Sequence, residues 1–157
     1  MNSLYQRLFI ASITALFLAG CVFGKPLEIS EAQFGTFSSD GIRLSNFRAT
    51  SRISFEVGKT YGWIARLKTS KRKVTFVEEF TLPVAPASWG AEDPLAKRTI
   101  SNSGRTATTT KTVTVVNGVI SHSWKIADGD PNGEHRILVK IEDQQPVEFK
   151  FEIVDKK

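Results

Sequence analysis

From Leu27 onward, apolar and polar residues alternate along the chain. Leu27 and Ile29 alternate with Glu28 and Ser30, opening a strand that continues to Phe37. Ile53, Phe55 and Val57 alternate with Ser54 and Glu56 until Gly58-Lys59 closes the segment. Tyr61, Trp63, Ala65 and Leu67 share one parity, with Arg66 and Lys68 on the other. Val74, Phe76, Phe80 and Leu82 repeat the pattern, broken by Glu78 on the apolar parity. Such period-two runs bounded by turn residues predict half-buried strands. In VTVVNGVISHSW (Val113–Trp124), Asn117-Gly118 stands between two β-branched runs, which predicts a type I′ turn because both central residues need positive φ. Tight pairing about that turn would set Val115 opposite Ile120 and Val113 opposite His122. It would also place Val113, Val115, Ile120, His122, Trp124 and Ile126 on the core face. A second hairpin is predicted from Ile137, Val139 and Ile141, through Asp143-Gln144-Gln145, to Val147, Phe149, Phe151 and Ile153. Thr106 to Thr114 reads as an edge or outer-face strand. Pro83 to Ser103, with three prolines and little periodicity, reads as a long surface loop or irregular crossover.

No stretch holds a 3.6-residue period long enough for a substantial helix, so the expected fold is all-β. We expect a single immunoglobulin-like antiparallel β-sandwich of about seven to eight strands over residues 27–155. The closing pattern runs through Trp124-Lys125-Ile126, then Gly129-Asp130-Pro131-Asn132-Gly133 and HRILVKIED, to Phe149, Phe151 and Ile153. It resembles the last strands of prokaryotic immunoglobulin-like domains. An early E-x-x-F-G-x-F stretch (Glu31, Phe34, Gly35, Phe37), the aromatic-glycine step Tyr61-Gly62 and a Pro-rich loop after the following strand extend the likeness. On these features the chain resembles an uncharacterised family of bacterial immunoglobulin-like envelope domains. That resemblance brings no active site with it. The paired cysteines of antibody domains are absent, since the chain has one cysteine.

The N-terminus reads as an address. Met1 to Arg7 is polar with one positive charge, and LFIASITALFLAG (Leu8–Gly20) carries none. As a helix this run would span roughly 20 Å, short of the ~30 Å hydrocarbon core and suited to the apolar region of a signal peptide. It ends in Leu18-Ala19-Gly20-Cys21, which resembles a bacterial lipobox. The resemblance implies cleavage between Gly20 and Cys21, a diacylglycerol thioether on Cys21, and a further acyl chain on the new amine. Two or three chains anchor stably where one would not. Residues 1–20 are then a lipoprotein signal peptide and 21–26 a lipidated tether. Val22, in place of the aspartate that marks inner-membrane retention in the enterobacterial pattern, leans towards the outer membrane.

Composition narrows the function without naming it. Of 21 basic residues only Arg7 falls in the leader, so the mature excess over 16 acidic side chains falls from +5 to +4. That is a mild excess rather than a nucleic-acid signature. The chain has no G-x-x-x-x-G-K, no H-E-x-x-H and no nucleophile-elbow serine, and its cysteine is assigned to lipid. We therefore expect no cofactor and a non-enzymatic binding module whose partner is another envelope protein or a glycan, alongside the bilayer; a structural spacer with no specific ligand is the alternative that the sequence does not separate from it.

Four features invite chemistry. Asp128, Asp130, Asn132 and Gly133 reproduce the first half of a calcium loop. Val139 stands where the bidentate Glu belongs, however, and a turn built from Asp, Asn and Gly is the plainer account. His122 and His135 would suggest an envelope hydrolase only if they met Asp128 in one cleft. Otherwise they are structural. The basic run Arg66, Lys68, Lys71, Arg72 and Lys73 flanks an expected hairpin turn at Thr69-Ser70. It is a candidate for anionic lipid or polymer, or a charged turn that discourages edge pairing. Trp89, outside any alternating run, is either a binding anchor or a plug over the end of the sandwich.

Overall fold

The computed structural model describes residues 27–38 and 46–156; the expected signal peptide, the tether and Cys21 lie outside them. Among the described residues there are ten strands: β1 (Glu28–Phe37), β2 (Phe47–Ala49), β3 (Arg52–Ser54), β4 (Thr60–Lys68), β5 (Lys73–Thr81), β6 (Ala96–Ile100), β7 (Thr106–Thr114), β8 (Val119–Lys125), β9 (Gly133–Ile141) and β10 (Val147–Val154). They form a four-stranded sheet ordered β2-β1-β4-β8 and a six-stranded sheet ordered β3-β10-β9-β5-β7-β6. The count exceeds the seven or eight expected because β2 and β6, of three and five residues, are too short for alternation to declare them. Val57, assigned by parity to a strand with Ile53, lies beyond β3 and is 61% exposed. Among the described residues all strand pairings are antiparallel except β3 with β10.

The inward parity of each long strand supplies the core: Tyr61, Trp63, Ala65 and Leu67 from β4, Val74, Phe76 and Phe80 from β5, Ile137, Val139 and Ile141 from β9, and Phe151 and Ile153 from β10. Phe34 of β1 stacks on Phe151 across the sheets at 4.2 Å between centroids, which joins the two layers.

Two expected hairpins are not hairpins. Asn117 (φ 51°) and Gly118 (φ 73°) do adopt the positive φ of the predicted turn, and Val116 and Val119 exchange both backbone bonds. Beyond that bridge the strands part. β7 pairs with β5, setting Val113 against Val74, while β8 pairs with β4, setting Ile120 opposite Ala65 and His122 opposite Trp63. The Val115 N–H bonds the Arg72 carbonyl and the Leu67 N–H bonds the Gly118 carbonyl, so each side of the turn is claimed by a different sheet. Likewise β4 and β5 lie in opposite sheets, and Thr69-Ser70 belongs to a crossover. The β9–β10 hairpin forms as expected, with Phe149 opposite Ile137 and Phe151 opposite His135. β7 is not an edge strand, because the stretch read as loop contains β6, which covers it.

The strands run so that the sandwich has two distinct ends. Glu28 pairs with Lys68, and the crossover at Thr69-Ser70 and the Asn117-Gly118 turn share that end. Tyr61 pairs with Trp124 at the other end, about 23 Å along β4 from Lys68 at ~3.3 Å per residue. The loops 82–95 and 126–132 gather there.

Candidate functional site

Glu78 explains its own break in parity. Its side chain is fully buried between the sheets, and three ring N–H donors converge on it. These are Trp63 Nε1 at 2.5 Å and His122 Nδ1 at 3.0 Å to Oε2, and Trp124 Nε1 at 2.9 Å to Oε1. A buried acidic side chain is tolerable only when its oxygens are satisfied. Here one residue of the six-stranded sheet is tied to three rings of the four-stranded one. His122 is therefore held in structure and does not meet His135 and Asp128 in a cleft.

One open feature lies at the far end of the sandwich. A cleft of about 220 Å³ is bordered by Tyr61, Trp89, Arg98, Trp124, Asp130 and His135. Each reaches it for a local reason. Arg98 sits on the inward parity of β6, opposite Thr109, and its guanidinium lies 5.1 Å over the Trp124 ring. The Nη1 of Arg98 donates to the carbonyls of Trp89 (2.8 Å) and Ala91 (3.4 Å), which fastens the Pro-rich loop down. Trp89 packs edge-on against Phe80 and Trp124, and its Nε1 donates to the Gly104 carbonyl at 2.9 Å. Of the two readings of Trp89, the geometry is that of a plug that also forms a cleft wall.

The polar groups of the cleft have defined states. Burial, followed by the negative charges of Asp130 and Glu78, pushes the Tyr61 hydroxyl well above its ordinary range, so it remains an O–H donor. Burial pushes the His135 imidazole below its usual value, against the opposing pull of the Gly133 carbonyl and Asp130. The Nδ1–H of His135 donates to that carbonyl at 2.8 Å, which leaves Nε2 as the acceptor of the neutral ring. Among the described residues no carboxylate stands within ion-pair distance of Arg98. Asp93, the acidic residue of the same loop with a well-placed cation, is taken by Lys111 at 2.6 Å. Arg98 Nε and, on its cross-strand partner, Thr109 Oγ1 are buried without hydrogen-bond partners. Each such orphan costs about 1–3 kcal/mol.

The state of His135 sets a pH dependence. Its depressed value means the unfolded chain binds the proton more readily, so this contribution to stability is complete above the unfolded value near 6.5 and is lost as pH falls. His135→Phe keeps the stack on Phe151 but cannot titrate. Its melting temperature should therefore fall less than the wild type's between about pH 7.5 and 5.5. Equal falls in both proteins would show that His135 does not drive the acid sensitivity.

The other sequence candidates are placed apart from the cleft. Arg66 pairs with Glu31 at 3.1 Å, Lys68 with Glu28 at 2.9 Å and Lys71 with Glu142 at 3.2 Å, so much of the basic run, at the opposite end, is neutralised by neighbours. These exposed pairs are worth at most about 1 kcal/mol each. In the half calcium loop, Asp130 Oδ2 accepts the Ala127 N–H and Asn132 Nδ2 donates to Asp155, as in an ordinary turn. Among the described residues no group of three or more His, Cys, Asp or Glu side chains is placed to hold a metal. Arg98 escaped the sequence reading because it falls in a stretch without periodicity. Its partner strand, the Thr-rich run, was the available signal.

The profile of the PM0630 beta sandwich domain family matches residues 32–154. No curated protein matches the sequence. Among solved structures, an immunoglobulin-like protein (PA1606) from Pseudomonas aeruginosa aligns with a TM-score of 0.57 at 15% identity, covering 82% of this chain and 97% of that one. The PmoD soluble domain from Methylocystis sp. aligns at 0.44 and 14% identity, covering 78% and 90%. The first of these likenesses establishes the immunoglobulin-like fold.

Proposed function

Since this chain belongs to the PM0630 beta sandwich domain family, we propose that it is a lipid-anchored binding module of the bacterial envelope, not an enzyme, that presents its far-end cleft away from the membrane. The supporting observation is the polarity of the sandwich. β1 begins at Glu28, at the end of β4 marked by Lys68, whereas Tyr61, Trp124 and the cleft lie at the other end. Leu27 follows Cys21 by six residues, a span of at most about 20 Å. Acyl chains on Cys21 would hold the Glu28 end against the bilayer and leave the cleft free. Val22 after the cysteine favours the outer membrane as destination. A non-catalytic role agrees with His122 being held by Glu78, away from the cleft that His135 borders.

The anchor is testable apart from the cleft. Cys21→Ala should move the protein from the membrane fraction to the soluble fraction and abolish metabolic labelling with palmitate. A variant that stays membrane-bound and is processed at Gly20 as before would refute the anchor.

A further inference from the structure

We propose that the far-end cleft binds one acidic sugar residue, with the Arg98 guanidinium receiving its carboxylate. The inference rests on reading the cleft as the recognition site of the tethered module. Four observations carry it. The cleft's volume of about 220 Å³ falls below the ~300–1,000 Å³ of sites for drug-sized ligands, leaving room for a single ring. Its walls are aromatic, from Trp89 and Trp124, as the apolar faces of a sugar ring require. Its cation is uncompensated. Arg98 is bound through Nη1 by two carbonyls and its Nε is buried, while Nη2 is neither hydrogen-bonded nor fully buried and is the donor left for a ligand carboxylate. Finally, the cleft mixes a retained hydroxyl donor at Tyr61 with an acceptor at Asp130. A plain carboxylate would be repelled by Asp130, and a neutral sugar would leave Arg98 uncompensated. A ring bearing both hydroxyls and one carboxylate satisfies both groups.

The test uses the full chain in a nonionic detergent, with tryptophan fluorescence and calorimetry as readouts. The probes are glucuronate, glucose, acetate and a galacturonate trisaccharide. Glucuronate should bind saturably, with glucose and acetate about tenfold weaker or worse, since each lacks one half of the recognised chemistry. This comparison on the unaltered protein does not depend on how any variant folds. Arg98→Lys, which keeps the charge but loses the fork, should weaken glucuronate binding about tenfold. Acetate or glucose binding as well as glucuronate, no saturation with either uronate, or unchanged affinity in a folded Arg98→Lys protein would each overturn the proposal. Trisaccharide binding tighter than the monosaccharide assigns the source to an acidic polysaccharide, and equal binding assigns it to the free sugar acid. Membrane fractionation of Cys21→Ala reads the anchor independently, so loss of one reading is distinguishable from loss of the other.

Discussion

Glu78→Ala is expected to destabilise the domain by about 3–5 kcal/mol, the usual cost of removing one partner from a buried charged network. The magnitude follows from what is left behind. The indole N–H groups of Trp63 and Trp124 and the Nδ1–H of His122 all lose their acceptor at once, in a core that holds Trp63 at 1% exposure. A cavity adds to the loss, because Phe76 and Phe80 lie on the same parity of one sheet and cannot collapse into the gap without moving β5. For a domain of this size the melting temperature should fall by roughly 10–20 °C. Glu78→Gln should be milder, about 1–3 kcal/mol, since its oxygen can still serve Trp63 while its NH₂ faces the Trp124 N–H. Urea unfolding of the two variants checks the order. If Glu78→Ala were within about 1 kcal/mol of wild type, the network would not be what joins the sheets.

That network shows where sequence reading succeeds and where it stops. Alternation assigns faces and does so well here. Tyr61, Trp63, Ala65 and Leu67 are buried together, and Val113, Val115, Ile120 and Ile126 face the same core as expected. What alternation does not carry is which strand lies alongside. The Asn117-Gly118 turn has the predicted dihedrals, yet a residue on either side of it is bonded to a different sheet. In a sandwich, a chain leaving a tight turn can stay in its layer or cross to the other, and the side-chain period is two in both cases. The β9–β10 hairpin was legible because its two strands remain neighbours in one sheet. Glu78 was legible as an anomaly, a carboxyl on an apolar parity, but its three partners come from two other strands and no local pattern joins them. Arg98 was illegible for another reason. β6 is five residues long, largely exposed, and embedded between prolines and glycine, so the inward direction of one side chain leaves no trace in the alternation.

The largest single-residue effect should come from Gly62. The E-x-x-F-G-x-F stretch and the Tyr61-Gly62 step stand side by side in the sheet, for Gly35 pairs with Gly62. Each glycine admits a neighbouring backbone. A Cβ on Gly62 would stand 2.1 Å from the His122 carbonyl oxygen and 2.7 Å from the Ser123 Cα, and one on Gly35 would stand 2.1 Å from the Arg48 carbonyl oxygen. No side-chain rotation relieves either contact, because main chain meets main chain, so a strand must move. The consequences differ with the strand. Gly35→Ala presses on β2, a three-residue edge strand that can peel away at the loss of a few ladder bonds. Gly62→Ala presses on β8, which carries buried Ile120 together with the two rings that hold Glu78, His122 and Trp124. Displacing β8 opens the core, the Glu78 network and the Trp124 wall of the cleft together. Gly62→Ala should therefore cost more than about 4 kcal/mol, in the range reserved for gross disruption of a core. Little folded protein should be recovered, while Gly35→Ala folds with a lowered midpoint. Equal stabilities for the two alanine variants, measured by chemical unfolding, would mean that β8 is as free to move as β2 and that Glu78 does not fasten it.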